Sequence, residues 1–250
     1  MKKNSNTYQI LYSAIMVIVV GAVLAFVFMT LKGKQDQNKA NDKRMQILSA
    51  IHVAPASADS IESTFSRYIT AEYLVDPQGN IADSTRGVAF GIDMKKNAKA
   101  QKRQLPVFVS KIDGDSIKYI VPVYGAGLWG PIWGYVAVNA DGKTVYGANF
   151  SHESETPGLG ARITDDSHFH QSFEGKSLYQ DTRFTSVEVV KKGQKGQQGG
   201  DYVDALSGAT ITSHGVSEML QNCLLPYDAF FKRLQSSTAK QQSGYVIKEK

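Results

Sequence analysis

Cysteine is almost absent from this sequence. Cys223 is the only thiol in 250 residues, so a disulfide within the chain is excluded, and with it the class of small secreted domains held together by disulfides. The length suits one globular domain with an additional segment and is too short for two large domains.

Net charge is also lacking over most of the chain. Residues 1–50 hold seven Lys or Arg and two Asp, a net charge of +5, whereas the other 200 residues hold 21 charges of each sign. The basic excess is confined to the N-terminal segment, and the sequence has no basic patch elsewhere. We therefore predict that the protein does not bind nucleic acid.

Charge disappears altogether over residues 8–31. These 24 residues, YQILYSAIMVIVVGAVLAFVFMTL, span about 36 Å as a helix, enough to cross a hydrocarbon core of about 30 Å with some tilt. No small-x-small cleavage site follows, so a permanent transmembrane anchor is favoured over a cleaved signal peptide. Two lysines flank the segment on each side, and charge therefore leaves the orientation open.

The anchor divides the chain into five predicted segments. A short tail precedes the anchor, a polar stalk follows it, and the folded domain ends in a polar C-terminal tail. The predicted bounds are 1–7 for the short tail, 8–31 for the anchor, 32–44 for the stalk, 45–235 for the domain and 236–250 for the C-terminal tail.

Strands are predicted in the middle of the domain and helices at its ends. The turn formers Asn139-Ala-Asp-Gly142 indicate a hairpin. Apolar residues at helical spacing predict helices over 45–51, 61–69 and 213–234, the last ending or bending near Pro226. The predicted fold class is α+β, an antiparallel sheet with helices packed on it. The predicted strands are 106–112, 117–124, 135–138, 144–150 and 183–190.

A glycine-rich loop follows the second predicted strand. Gly125, Gly127 and Gly130 form a literal G-x-G-x-x-G, but a dinucleotide-binding fold needs a helix to begin there and an acidic residue about twenty positions later. A strand and a hairpin follow instead. We interpret the loop as a turn that presents Leu128 and Trp129 to a planar ligand; a core tryptophan between glycine turns is the alternative.

A second loop, HESETPGLG at 152–160, is dense in polar groups and turn formers. His152 and Glu155 are metal ligands by residue type, but their spacing is unspecific. His168 and His170 form an i, i+2 pair on a polar stretch and are interpreted, like His152, as solvated side chains. We predict no metal site, and we assign no catalytic residue, because the GxSxG and GxxxxGK[ST] motifs are absent.

The stretch DALSGATITS, residues 204–213, comes just before the last predicted helix. Ser207, Gly208 and Ala209 are small, so a ligand or a modifying enzyme can approach the backbone closely. Hydroxyl groups follow at the helix start, where free N–H groups and the helix dipole favour a phosphate. They belong to Thr210, Thr212 and Ser213. From the residues alone, an anion-binding turn and an ordinary Ser/Thr N-cap both remain open.

Three motifs that follow the single anchor in the sequence carry a family resemblance: GLWGPIWG at 127–134, HESETPGLG at 152–160 and DALSGAT at 204–210. In this order they resemble the C subunit (NqrC) of the sodium-translocating NADH:quinone reductases, from the anchor through the last helix. The resemblance implies an electron-carrying subunit of a membrane-bound sodium-pumping NADH:quinone oxidoreductase, without complete activity of its own. The other subunits of the complex and membrane lipid are the implied partners.

The family's cofactor is FMN, carried through a phosphoester bond on the last threonine of the SGAT motif. Carried over, this residue is Thr210, with its Oγ1 joined to the FMN phosphate. The resemblance further implies a flavin transferase that installs FMN from FAD with a divalent metal. It also implies a flavin domain on the periplasmic side of the bacterial inner membrane, with the tail 1–7 in the cytoplasm.

On this resemblance we expect the phosphate at the helix start, held by backbone N–H groups and by the Thr212 or Ser213 hydroxyl. The flavin ring would lie between Leu128 and Trp129 of one loop and residues 157–159 of the other, with Glu155 and Thr156 as hydrogen-bond partners. The expected FMN contacts are Leu128, Trp129, Glu155, Thr156, Gly158, Leu159, Ser207, Gly208, Ala209, Thr210, Thr212 and Ser213.

Three alternatives stand beside this interpretation. The G subunit of the Rnf ferredoxin:NAD electron-transport complex shares the ETPGLG and SGAT elements and the single anchor. That subunit is usually shorter before the first glycine loop and lacks the GLWG form, whereas here about ninety residues separate the anchor from that loop. An anchored ligand-binding domain without redox function and a free-standing FMN enzyme are the other two.

Overall fold

A computed structural model describes residues 6–112, 114 and 116–246. Most of the predicted tail 1–7 therefore lies outside the described residues. Helix α1, Asn6–Ser49, continues through the predicted anchor and the predicted stalk. Within the described residues it is the one helix long and apolar enough to cross a membrane. By contacts the chain divides into two units, Met1–Lys43 and Arg44–Lys250.

A six-stranded antiparallel sheet forms the second unit, with strand order β2-β1-β3-β4-β5-β6. Four of the predicted strands correspond to β3 to β6, and the Asn139–Gly142 hairpin is confirmed, with the Gly142 N–H donating to the Asn139 carbonyl at 2.9 Å. The strands of the sheet are β1 Ile69–Val75, β2 Ile81–Asp83, β3 Leu105–Ile112, β4 Ser116–Ala126, β5 Pro131–Asn139 and β6 Val145–His152.

Strands β1 and β2 were not predicted, and Ile69, predicted as helical, begins β1. The predicted helix is α2, Ile61–Tyr68. Strand β1 carries Glu72, which is buried in the sheet and accepts a hydrogen bond from the Phe90 N–H at 2.8 Å. A buried acid interrupts the apolar alternation that indicates a strand, and only the tertiary partner explains its position.

The single strand predicted over 183–190 is wrong. The segment forms two short strands, β8 Arg183–Phe184 and β9 Glu188–Val190. Ser186 lies between them with φ +59°, and the N–H groups of Thr185 and Ser186 both donate to the Leu178 carbonyl. Strand β8 pairs with β7, Tyr179–Gln180, and β9 pairs in parallel with β10, Tyr202–Asp204.

Both faces of the sheet are covered, so neighbouring side chains along one strand enter different cores. On β5, Val136 packs into the larger core, whereas Tyr135 packs into the smaller one. Burial of Tyr135 raises the pKa of its phenol. Ile47 and Leu48 at the end of α1 cover the smaller core. The other helices are α3 Met94–Asn97, α4 Arg162–Asp165, α5 Ser167–Gln171, α6 Thr210–Leu224 and α7 Asp228–Val246.

Helix α6 begins at Thr210, three residues before the predicted start. It ends at Leu224 and is followed by a 3-10 turn, Leu225–Tyr227, that contains Pro226. The predicted break at Pro226 is therefore confirmed. Helix α7 continues to Val246, so residues 236–246 of the predicted C-terminal tail are helical. The residues of α6 that pack on the larger core include Val216, Met219, Leu220 and Leu224.

Candidate functional site

Three loops of the second unit surround one surface cavity of about 250 Å³. They are the connection between β4 and β5, the segment after β6, and the turn before α6. The antiparallel pairing of β5 with β6 brings the first two loops to the same end of the strands, and α6 packs across β4. The cavity is lined by Leu128, Trp129, Glu155, Thr156, Leu159, Gly160, Gly208, Ala209, Thr210, Ile211 and Thr212.

The first loop is a tight turn that exposes two apolar side chains. The Gly127 N–H donates to the Gly130 carbonyl at 2.8 Å, and β5 begins at the next residue, Pro131. No helix follows the glycines in this described segment, which rules out the dinucleotide-binding interpretation. Leu128 is 47% and Trp129 is 66% exposed, so the alternative of a core tryptophan is wrong.

The second loop contributes a buried carboxylate and an exposed apolar side chain. Glu155 is only 4% exposed, whereas Leu159 is 46% exposed. Gly158 has φ +75°, a backbone conformation that favours glycine. This conformation lets the chain turn back, and the Leu159 and Ala161 N–H groups both donate to the Thr156 carbonyl.

The turn before α6 brings Thr210 to the cavity with its side chain exposed. Gly208 has φ +78°, and the Ala209 N–H donates to the Leu206 carbonyl at 3.0 Å. The N-cap residue of α6 is Ala209, and none of the described side chains caps this helix. The ordinary Ser/Thr N-cap is therefore excluded, and the first-turn N–H groups are available to an anion.

Three of the expected contact residues do not line this cavity. The Ser213 side chain is fully buried, and its Oγ accepts a hydrogen bond from the Leu206 N–H at 3.2 Å. Gly158 is exposed at the loop tip. Ser207 borders a different, open cleft of about 880 Å³, where Arg162 Nη1 donates to the Ser207 carbonyl at 3.5 Å.

Two residues of the cavity escaped the sequence analysis. Ile211 is 61% exposed at the rim, and an isoleucine just after the SGAT motif is the signal that could have indicated it. A Cβ on Gly160 would overlap Glu155 Oε2 and the Thr212 hydroxyl. The role of Gly160 as a spacer for two polar groups becomes visible only once the loops have met.

Two of the three histidines interpreted as solvated, His152 and His170, form hydrogen bonds within the protein instead. His152 Nδ1 accepts a hydrogen bond from the Glu155 N–H at 3.2 Å. His170 Nε2 lies 2.6 Å from the Ile163 carbonyl, and burial lowers the pKa of His170. His168 is exposed at the larger cleft. Across the described part of the chain, no group of three or more His, Cys, Asp or Glu side chains is arranged to hold a metal.

The lone cysteine, Cys223, lies near the C-terminal end of α6 and does not line the cavity. Cys223 Sγ accepts a hydrogen bond from the Tyr124 N–H at 3.4 Å and lies 3.3 Å from the Tyr124 carbonyl. Burial raises the pKa of the Cys223 thiol, so the nucleophilic thiolate form is disfavoured. Its place is in the packing between α6 and β4.

Together, fold and site define a class of protein: an antiparallel-sheet domain, preceded by an anchor-type helix, with a surface cavity between exposed apolar side chains and a helix N-terminus. Residues 127–225, which include all three loops, match the family model described as an FMN-binding domain.

Individual relatives give a narrower assignment. The C subunit of the Na+-translocating NADH-quinone reductase of Vibrio anguillarum is 33% identical over 235 residues, which cover 85% of this chain and 89% of the relative. The crystal structure of the C subunit from Parabacteroides distasonis has a TM-score of 0.73 and 46% identity, covering 80% of this chain and 96% of that chain. Shewanella oneidensis NqrC has a TM-score of 0.64 and 29% identity, covering 80% and 99%. The chain belongs to the NqrC family, the C subunits of the Na+-translocating NADH-quinone reductases.

Proposed function

We propose that this chain is the FMN-bearing, electron-carrying C subunit of a sodium-translocating NADH-quinone reductase, with FMN esterified to Thr210 Oγ1. One observation carries the proposal: an exposed threonine begins α6 at the wall of the cavity. A hydroxyl in this position is accessible to a modifying enzyme, and a phosphate attached to it lies beside free backbone N–H groups.

The cavity residues fit an FMN group. Leu128, Trp129, Leu159 and Ile211 expose apolar surface around the opening, which suits a planar aromatic ring better than solvent. The helix N-terminus favours the phosphate through its dipole and its unpaired N–H donors. Thr156 supplies a further hydroxyl at the cavity wall.

When bound, FMN supplies the electron-transfer chemistry, and the protein supplies position and environment. Leu128 and Trp129 would cover part of the bound ring, and Thr210 would anchor the cofactor at the wall of the same cavity. The site needs no acid or base for this task, and we propose no NADH or quinone site within this chain. The chain acts as one subunit of a multisubunit translocase, whose other subunits are its partners.

The proposed membrane topology combines the anchor, which supplies the single crossing, with the family resemblance, which supplies the orientation. We propose that the apolar part of α1, residues 8–31, crosses the bacterial inner membrane once, in contact with lipid. The tail 1–7 would lie in the cytoplasm, and the stalk 32–44 would lead to the flavin domain 45–235 and the C-terminal tail 236–250 on the periplasmic side. A flavin transferase would install FMN there, and the covalent bond would prevent its loss where free flavin is not supplied.

The first test is the intact mass of the protein purified from its native host. We expect the mass to exceed that of the polypeptide by one FMN less one water, and Thr210→Ala to lose this increase completely. Thr156→Ala is the matched control, because it removes another hydroxyl of the same cavity and should keep the added mass. An unmodified wild-type chain, in a host that contains the flavin transferase, would refute the covalent attachment.

The second test asks whether the flavin ring of FMN stacks on the Trp129 side chain. Replacing Trp129 with Ala removes an aromatic contact worth about 0.5–1.5 kcal/mol, so we expect FMN to remain attached while its visible absorbance and circular dichroism change. Trp133→Phe is the control, because the Trp133 Nε1–H donates to Gln46 Oε1 at 2.9 Å, outside the cavity lining. An identical spectrum in Trp129→Ala would rule out stacking on this side chain.

A further inference from the structure

Glu155 is one of the few buried acids of the described domain, and both oxygens of its carboxylate are engaged. Oε1 accepts a hydrogen bond from the Trp129 N–H at 2.7 Å, and Oε2 accepts one from the Thr212 hydroxyl at 2.6 Å. Trp129 is 26 residues and Thr212 57 residues away in the sequence. A single carboxylate therefore joins the first loop to the first turn of α6.

Space for this carboxylate is provided by glycines. A Cβ on Gly127 would lie 2.5 Å from Glu155 Oε1, and a Cβ on Gly160 would overlap Oε2. At both positions any side chain would overlap the carboxylate, so only glycine allows the backbone to approach it this closely. The adjacent Ser154 Oγ donates to the Trp129 carbonyl at 2.9 Å, so residues 154 and 155 hold both backbone polar groups of Trp129.

The negative charge of a glutamate strengthens the two hydrogen bonds that hold this side chain between the first loop and α6. A buried charge is costly unless it is hydrogen-bonded, and both bonds to Glu155 are short, as charge-assisted bonds are. Thr212 lies in the first turn of α6, where the helix dipole favours an anion. The carboxylate is therefore stable in this place and rigid, because its two donors come from separate elements.

We propose that Glu155 is a positioning residue: it fixes the loop of Trp129 against the first turn of α6, and so sets the gap between Trp129 and Thr210. Only the occupant of the gap, the flavin ring, rests on the function proposed above. Through its charge, Glu155 also disfavours the addition of electrons to a nearby flavin and so lowers the flavin's reduction potential.

The first experiment needs no flavin. In the full-length Thr210→Ala chain, which lacks the attachment hydroxyl, we expect Glu155→Ala to speed hydrogen exchange of the Trp129 amide by about ten- to a hundredfold, because a hydrogen bond to a charged group is lost. Glu153→Gln is the matched control: it removes the same charge from the neighbouring, exposed glutamate, which forms a 3.7 Å ion pair with Lys95, and should leave this exchange unchanged.

Two conservative variants separate geometry from charge in the flavin-loaded chain. Glu155→Gln still accepts from the Trp129 N–H and can donate to the Thr212 hydroxyl. Because these bonds are no longer charge-assisted, exchange should rise, but by much less than in Glu155→Ala. The lost charge in Glu155→Gln should shift the equilibrium between oxidised and reduced flavin about tenfold toward the reduced form. Glu155→Asp keeps the charge but is too short for both bonds, so exchange should be fast, as in Glu155→Ala.

The outcomes distinguish this proposal from the proposed function. Slow Trp129 exchange in both Glu155→Ala and Glu155→Asp, or an equal rise in Glu153→Gln, would overturn the positioning role whatever is attached to Thr210. An unchanged midpoint potential in Glu155→Gln would overturn the effect of the charge. Should wild-type Thr210 prove unmodified, the covalent flavin would be refuted, while the exchange result would still decide the role of Glu155.

Discussion

Replacing Phe150 with alanine should lower the free energy of unfolding by about 3–5 kcal/mol, the cost of emptying a buried aromatic site. Phe150 is fully buried on β6. Its ring centroid lies 5.2 Å from that of Phe173 and 5.9 Å from that of Phe169. This cluster holds the short helix α5 against the strand that leads directly to the loop of Glu155, so the loss of the ring should weaken the site together with the core.

Urea unfolding of the full-length chain in detergent, followed by near-ultraviolet circular dichroism, measures this change. Phe150→Leu is the control, because it retains most of the apolar volume and should cost no more than about 1.5 kcal/mol. A loss below about 1 kcal/mol in Phe150→Ala would mean that neighbouring rings refill the space and that the cluster does not support β6.

The central hairpins were predictable from sequence because local chemistry specifies them. Strands β4 and β5 carry long apolar runs, and Asn139–Gly142 is a turn whose Asp141 carboxylate accepts from the Lys143 and Thr144 N–H groups. Strand β1, which lies between β2 and β3, was missed because Glu72 resembles a solvent-facing residue in the sequence, and its buried partner, the Phe90 N–H, is known only from the fold. The break at Ser186 was missed because its cause is the Leu178 carbonyl, a non-local acceptor.

The same distinction applies to the candidate site. Motif spacing identified Trp129, Glu155 and Thr210 separately, because turn formers and small residues have local signatures. Their arrangement around one cavity depends on the hairpin and on the packing of α6, which no local pattern encodes. The bond between Glu155 and Thr212 and the spacer role of Gly160 therefore became visible only in the folded chain.

The position of Thr210 depends on how closely α6 approaches the sheet. Gly215 lies on the buried side of α6, and a Cβ at this position would overlap the carbonyl oxygen of Ala126 and lie 3.5 Å from Gly127 Cα. Ala126 is the last residue of β4, immediately before the loop that carries Trp129. The glycine thus permits a close contact between helix and strand at the base of the cavity.

Gly215→Ala should destabilise the protein, although alanine normally favours a helix over glycine by about 1 kcal/mol. Overpacking against backbone costs about 1–3 kcal/mol, and relief of the overlap must move α6 away from β4. The movement should separate Thr210 from Trp129, so we expect both a lower urea midpoint and a smaller fraction of chains carrying the FMN mass. His214→Ala, at the exposed neighbouring position, is the control and should change neither quantity appreciably. If Gly215→Ala were more stable than the wild type and fully flavinylated, the contact between α6 and β4 would not set the geometry of the cavity, and the position of Thr210 would have to depend on the Glu155 bonds alone.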